Sequence, residues 1–201
     1  RSSSDFTDAV AIFHDFNGDQ KPDLFIGSGG YHDYLSTDES LRDRLYLNDG
    51  RGKFQKSIQV FAPTPTSFIL SSDIDGDGDA DLIVGSRSVP FGYGIPSSLQ
   101  IWQNDGKGTF IDVTQEVNPS FLQLGMLTAG AVADLDGDGK SELIVAGEWM
   151  AIRIFSFAGG KLLEKTADFG FADTRGLWNC LLVVDVNGDG KPDILAGNQG
   201  L

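Results

Sequence analysis

The chain has 201 residues, of which 40% are hydrophobic and 26 are glycine, a composition typical of a folded, turn-rich globular protein and not of a disordered one. Its formal net charge is -14, with 29 acidic and 15 basic residues, which disfavours nucleic-acid binding because phosphate recognition needs a basic surface. No apolar run approaches the ~20 residues of a membrane-spanning helix, so membrane insertion is not expected.

The first predicted elements are two apolar runs joined by an acidic loop. The run DAVAIFH precedes the loop DFNGDQKPDL, and the run DLFIGS follows it. Short apolar runs rich in β-branched and aromatic residues and bounded by turn residues predict strands, so this loop connects two strands of a hairpin. A second hairpin follows in DRLYLNDGRGKFQKS, where Asn-Asp-Gly marks a tight turn. The segment therefore predicts four antiparallel strands.

The same arrangement recurs along the chain. The second copy contains SFILSS, DIDGDGDADL, DLIVGS and LQIWQNDGKGTFIDV, and the third contains TAGAVA, DLDGDGKSEL, ELIVAG and AIRIFSFAGGKLLEKT. The fourth contains WNCLLVV, DVNGDGKPDI and DILAGN, and the chain stops after its second strand. The loops start at residues 15, 73, 134 and 185, and a recurrence every 50 to 60 residues or so indicates a repeat architecture.

Each acidic loop has the spacing of a calcium site. Numbered from its first Asp, it carries oxygen-bearing side chains at positions 1, 3, 5 and 9, and position 7 can add its backbone carbonyl. Calcium takes six to eight such oxygens, whereas an EF-hand loop would end on a Glu at position 12 between two helices. Position 12 of the third loop is Val145, inside a predicted strand, so these loops close at position 9. We therefore expect up to four Ca²⁺ ions.

The predicted ligands of the first two loops are Asp15, Asn17, Asp19, Lys21 and Asp23, followed by Asp73, Asp75, Asp77, Asp79 and Asp81. Those of the last two loops are Asp134, Asp136, Asp138, Lys140 and Glu142, followed by Asp185, Asn187, Asp189, Lys191 and Asp193. As side-chain ligands they include 14 of the 29 acidic residues. Most of the excess acidity therefore belongs to the predicted metal sites.

These loops and their flanking strands resemble the FG-GAP/VCBS repeats, which also form the propeller of integrin α-subunits, over essentially the whole chain. The resemblance implies that each calcium loop joins the innermost strand of a propeller blade to the second. The phrases GSRSVPFGYG, VAGEWMAIRIF, GLWN and GNQGL are similar to secreted bacterial proteins with an ASPIC/UnbV-type region. With the abundance of calcium outside the cytosol, this predicts an extracellular, periplasmic or cell-surface location in a bacterium.

The fold expected is all-β, a β-propeller with blades of four antiparallel strands. The blades are placed at about 7–60, 66–117 and 126–168, with a half blade at about 177–201 of a single segment 1–201. Three and a half blades suggest excision from a larger, seven-bladed propeller, and the start at Arg1 without Met or an apolar leader points the same way. The alternatives are a homodimer through the open edges, an N-terminus that completes blade four, for which RSSSDF is too short, or a β-sandwich with calcium hairpins.

The face opposite the calcium loops carries the long, individual loops, where binding residues concentrate on a rigid scaffold. Candidate contacts there are Tyr31, His32, Tyr34, Arg42, Arg87, Phe91, Tyr93, Trp149 and Arg153, although many could simply pack the loops together. The residues favour a non-catalytic scaffold that binds a protein or glycan on this face. The alternative is a polysaccharide-active lyase or hydrolase, which needs a convergent acid and base. The carboxylates left for that role are Asp33, Asp38, Glu39, Asp43 and Glu148, and no two share a motif.

Three further residues have structural interpretations. His14 precedes Asp15, but Ser, Ala and Val occupy its place in the other copies, so a ligand is not required there. His32 and Asp33 are neighbours whose side chains would point apart in an extended loop, so no catalytic pair is expected. Cys180 lies in an apolar strand and is expected to be an inert buried thiol.

Overall fold

The computed structural model describes residues 6–30 and 34–200. The first two repeats contain β1 (Asp8–His14), β2 (Asp23–Ser28), β3 (Arg44–Asn48), β4 (Phe54–Lys56), β5 (Thr66–Ser72), β6 (Asp81–Ser86), β7 (Leu99–Asn104) and β8 (Phe110–Asp112). The rest contains β9 (Met126–Ala133), β10 (Glu142–Met150), β11 (Arg153–Ala158), β12 (Lys161–Glu164), β13 (Gly176–Val184) and β14 (Asp193–Asn198). Helical turns are confined, within these ranges, to Glu39–Leu41, α1 (Thr114–Val117) and Pro119–Gln123.

The strands form antiparallel sheets in chain order. The first sheet is β1-β2-β3-β4 and the second is β5-β6-β7-β8. In the third repeat β9, β10, β11 and β12 pair in the same succession, and β13 pairs with β14. The prediction of an all-β fold with four-stranded antiparallel sheets is confirmed. Each acidic loop lies between the first two strands of its repeat, as the sequence indicated.

The third and fourth repeats are joined by hydrogen bonds, which the sequence did not indicate. The end of β10 also pairs with β13, through Glu148 opposite Leu177 and Met150 opposite Gly176. This happens because β10 has 9 residues whereas its counterparts β2 and β6 have 6. The segment GEWM therefore belongs to a strand.

The hydrophobic core lies between successive sheets. Phe16, Phe25 and Phe61 of the first repeat pack on Trp102 and Phe110 of the second. Residues of β10 alternate between two such layers: Leu143 and Val145 pack towards the second repeat, and Ile144 and Ala146 towards the fourth. Successive side chains of a strand point to opposite faces, so strands covered on both faces read as continuous apolar runs such as DLIVGS. The core is therefore shared between neighbouring repeats.

The strands before the acidic loops lie next to one another. Contacts run from β1 to β5, from β5 to β9 and from β9 to β13. Small residues allow this approach: a Cβ on Gly130 in the TAGAVA run would collide with the ring of Phe68. The first strands of neighbouring repeats are therefore closely packed.

Some predicted residues lie outside the described ranges, and one differs in its burial. Tyr31, His32 and Asp33 lie outside the described residues. Cys180 was predicted to be buried, but it is exposed, because no later sheet among the described residues covers that side of β13. In the part of the chain that the structure describes, no helix is both long enough and apolar enough to cross a membrane.

Candidate metal sites

The first Asp of each loop organises the backbone around its own carboxylate. In the third loop Asp134 accepts hydrogen bonds from the amides of Gly137, at 2.8 Å, and Gly139, at 2.9 Å. Both glycines have left-handed backbone, with φ of 79° and 85°, a region that residues with a Cβ enter only at a cost. Glycine at loop positions 4 and 6 therefore lets both amides turn towards one carboxylate.

The first loop keeps this geometry without its second glycine. Gln20 occupies position 6 with φ of 64°, and its amide donates to Asp15 at 2.6 Å. Gly18 at position 4 donates to the same carboxylate at 2.8 Å. The hydrogen bonds and the flanking strands thus hold a non-glycine residue in an unfavourable backbone conformation.

In the first two loops the acid at position 9 is buried and ties the loop to the second hairpin of its repeat. Asp81 has no exposed surface, and its carboxylate accepts the amides of Ile74 in the loop and Asn104 in the β7–β8 turn, both at 2.8 Å. Asp23 does the same for Phe16 at 3.1 Å and Asn48 at 2.8 Å. The Asn-Asp-Gly turns therefore lie on the same face as the acidic loops.

The third and fourth loops vary this arrangement. Glu142 accepts the amide of Leu135 at 3.0 Å and the hydroxyl of Ser156 at 3.1 Å, which fits a third repeat that turns on Gly-Gly and has no Asn-Asp-Gly. Asp193 accepts the amide of Val186 at 3.1 Å. Sequence patterns did not single out Asn48, Asn104 or Ser156 as partners of position 9, although the repeated Asn-Asp-Gly could have identified the first two.

The electrostatics of the loops suit a cation. Burial, together with the smaller effect of the charges of Asp75 and Asp77, raises the pKa of Asp81 to about 6, although two backbone hydrogen bonds act to lower it. Burial likewise raises the pKa of Asp23. In the exposed fourth loop, hydrogen bonds from the amides of Gly190 and Gly188 lower the pKa of Asp185. A divalent ion would favour the charged form of all these carboxylates.

Two loops bring three carboxylates together. One oxygen each from Asp73, Asp75 and Asp81 lies within 4.8 Å of the others, and the same holds for Asp134, Asp136 and Asp138. The first and fourth loops have Asn at position 3 and so offer one carboxylate fewer. Oxygen donors of this kind fit Ca²⁺, so these residues could hold the ion that the sequence predicts. The residues at position 7, Lys21, Asp79, Lys140 and Lys191, each donate their amide to the position-5 Asp, at 2.8 to 3.0 Å.

On the opposite face, several predicted contact residues have structural partners. Arg42 donates to the carbonyl of Phe61 at 2.6 Å, and Tyr34 lies 3.1 Å from the hydroxyl of Thr7. Arg87 forms an ion pair with Glu148. Several of the arginine and tyrosine candidates thus hold the loops together, which is the structural role that the sequence analysis left open for them.

Three aromatic residues of this face are well exposed. Phe91, Tyr93 and Trp149 have exposed fractions of 68%, 61% and 67%. The hydroxyl of Tyr93 donates to Glu148 at 2.9 Å. His14, which directly precedes the first acidic loop, is exposed and lies 3.4 Å from the hydroxyl of Ser71.

The family model for the FG-GAP-like repeat matches the chain three times, at residues 15–84, 73–145 and 134–196. These matches cover most of the chain, and it belongs to the FG-GAP-like repeat family. Each match begins at the first Asp of one acidic loop and extends past the next loop, which agrees with the repeat read from the sequence.

The chain is also similar to curated proteins named Cartilage acidic protein 1. The protein from Xenopus tropicalis is 29% identical over 160 residues, which are 75% of this chain and 22% of the relative. The Mus musculus and Homo sapiens proteins are 28% identical over 156 residues, which are 73% of this chain and 22% and 21% of the relatives. The chain thus spans about a fifth of the length of these relatives.

Proposed function

We propose that this chain is part of a calcium-stabilised β-propeller that acts as a non-catalytic interaction module outside the cytosol. The observation that supports calcium most directly is the convergence of Asp73, Asp75 and Asp81, and of Asp134, Asp136 and Asp138, in two loops with the same pattern of backbone hydrogen bonds to the first Asp. Membership of the FG-GAP-like repeat family supports the propeller. The location in the extracellular space, the periplasm or at a bacterial cell surface follows from the supply of calcium.

Calcium would neutralise carboxylates that otherwise repel one another inside each loop. Within the second site, Asp73 and Asp75 would approach the ion from the exposed loop and Asp81 from the buried side. Asp81 also holds the turn that contains Asn104. Binding would therefore stabilise the second hairpin of the repeat as well as the loop itself.

A non-catalytic role is supported by the structural use of three of the five carboxylates that lie outside the acidic loops on the opposite face. Asp43 accepts hydrogen bonds from the amide of Ser28 and the hydroxyl of Thr66, both at 2.9 Å. Glu148 accepts from Arg87 and Tyr93, and Asp38 accepts the amide of Ser40 at 2.8 Å. These groups secure loops, which favours a scaffold for protein or glycan ligands over a polysaccharide-active enzyme.

The relation to a complete propeller is also part of the proposal. Leu182 and Leu195, on β13 and β14, have exposed fractions of 57% and 46%, so an apolar sheet face is available for a further blade. A blade from a longer chain is favoured, and a homodimer through the same edge is the alternative. Measuring the size of this chain in solution, and that of a longer segment of the protein, separates the two.

The test is thermal unfolding in millimolar Ca²⁺ and in EGTA, with calorimetric titration of the ion. A ligand at 100 times its Kd stabilises the folded protein by about 2.7 kcal/mol for each site, so we expect a midpoint several degrees higher in calcium. Asp136→Asn should reduce this gain, whereas Asp173→Asn, an exposed acid outside the loops, should not. Equal midpoints in calcium and EGTA would rule out the proposal. The second and third loops, which have four acidic side-chain ligands, should also bind calcium more tightly than the first and fourth loops, which have Asn at position 3.

A further inference from the structure

An open cleft lies at the end of β10 that is opposite the acidic loops. Its volume is about 630 Å³, and its lining includes Trp149, Arg153, Glu164, Lys165, Asp168 and Arg175. A volume of this order is typical of small-ligand sites. The cleft lies where the end of β10 pairs with β13, and its walls come from the third repeat and from the connection that leads to β13.

The backbone of Trp149 in this cleft has an unfavourable conformation. It is the extra residue of a bulge, between the pairs Glu148 with Leu177 and Met150 with Gly176. Its φ of 60° is in the left-handed region, where bulges ordinarily carry glycine. Its side chain is nevertheless 67% exposed, so burial of the indole does not explain a tryptophan here. A bulge of this kind re-aims a side chain, and here it presents a flat aromatic surface to solvent.

The charges of the cleft leave one cation unpaired. Arg153 forms two hydrogen bonds with Glu164, at 2.9 and 2.6 Å, and Lys165 pairs with Asp168 at 3.0 Å. Arg175 is exposed and has no ion pair or side-chain hydrogen bond within residues 6–30 and 34–200. The lining therefore has a net positive charge in a chain whose overall charge is -14.

We propose that this cleft binds a carboxylate-bearing sugar, with a pyranose ring stacked on Trp149 and its carboxylate paired with Arg175. The proposal rests on the interaction module described above and specifies a ligand class for it. The apolar C–H face of a sugar ring matches an exposed indole, and a planar guanidinium pairs with a carboxylate through two parallel hydrogen bonds. An acidic peptide fits less well, because peptide sites rely on strand addition or pockets for several apolar side chains.

The test uses the chain saturated with calcium and the tetramer of galacturonic acid as probe, followed by calorimetry or NMR. The methyl ester of the same tetramer is the matched ligand control, because it keeps the rings and removes the charge. We expect the acid to bind at least tenfold more tightly than the ester. Trp149→Gly and Arg175→Ala should each weaken binding at least tenfold, and Arg51→Ala, an exposed cation on the acidic-loop face, should change it less than twofold.

Stability separates this inference from a general loss of folding. Trp149→Gly should not lower the unfolding midpoint, since glycine suits the backbone of the bulge, and Arg175→Ala removes an exposed, unpaired side chain. Equal binding of acid and ester, no binding at all, or a tetraglutamate peptide that binds as tightly and depends on Trp149 would each overturn the proposal. Such results would leave the calcium-dependent midpoint intact, whereas failure of the calcium test would refute the proposed function itself.

Discussion

Exchanging the two residue types found at loop position 6 should change stability in opposite directions. Gly139 in the third loop and Gln20 in the first have the same left-handed backbone, with φ of 85° and 64°. A Cβ on Gly139 would meet nothing within 4 Å. Gly139→Ala therefore tests the backbone conformation alone, because the substitution creates no clash and keeps the hydrogen bond to Asp134.

The magnitude follows from two opposing terms. A left-handed conformation costs a non-glycine residue roughly 1–2 kcal/mol. In the other direction, glycine loses more conformational entropy than alanine on folding, which costs about 0.5–1 kcal/mol of stability. The difference predicts that Gly139→Ala lowers the free energy of unfolding by about 0.5–1 kcal/mol. Gln20→Gly should raise it by a similar amount, and for a chain of this size 1 kcal/mol corresponds to roughly 2–4 °C in the midpoint.

Urea unfolding measures both variants, with Gln20→Ala as the control that removes the side chain and keeps the Cβ. The two changes should be seen in calcium and in EGTA alike if they act through the backbone. Changes of the same sign for Gly139→Ala and Gln20→Gly, or a gain in stability for Gly139→Ala, would refute the reasoning about position 6.

Burial raises the pKa of Asp43 to about 7 from 3.8, so the folded state binds this proton more tightly than the unfolded state. The contribution of Asp43 to the free energy of unfolding should therefore rise as the pH falls from 7 to 4, by up to about 1.4 kcal/mol per pH unit. In unfolding curves measured in saturating calcium, Asp43→Asn should remove this pH-dependent contribution. An unchanged pH profile in the variant would contradict the assignment. Phe61 is 1% exposed and makes edge-on contacts with Phe25 and Trp102 at 4.9 and 5.0 Å. Phe61→Ala should cost about 3–5 kcal/mol in chemical denaturation, whereas Phe13→Ala, at 62% exposure, should stay within about 0.5 kcal/mol. A Cβ on Gly147 would collide with the carbonyl of Met126, so Gly147→Ala should destabilise the chain more than Gly139→Ala does. Equal unfolding midpoints for the two glycine variants would argue against this.

The repeated strands and loops could be predicted because their signals are local. A position-1 Asp with glycine at position 4 specifies the loop hydrogen bonds within a few residues, and the apolar runs on either side specify strands buried on both faces. The order of strands in each sheet then follows from short connections between antiparallel neighbours. These features depend little on distant parts of the chain.

The features that were missed depend on contacts between repeats. The extension of β10 and its bulge at Trp149 require β13 as a pairing partner, and nothing in GEWM alone distinguishes a strand from a loop. The exposure of Cys180 depends on which sheet covers β13, which its apolar neighbours cannot indicate. The partners of Asp23 and Asp81 lie 25 and 23 residues further along the chain.

The side chain and amide of Asn104 connect two successive acidic loops. Its amide donates to Asp81 in the second loop, and its side-chain nitrogen donates to the carbonyl of Phe16 in the first, at 2.9 Å. In the calcium-bound state proposed above, a displacement of one loop on release of its ion would be transmitted to the neighbouring loop through Asn104. Thermodynamic linkage would then make the calcium affinities of the first and second proposed sites depend on each other, so binding at these two loops should be coupled.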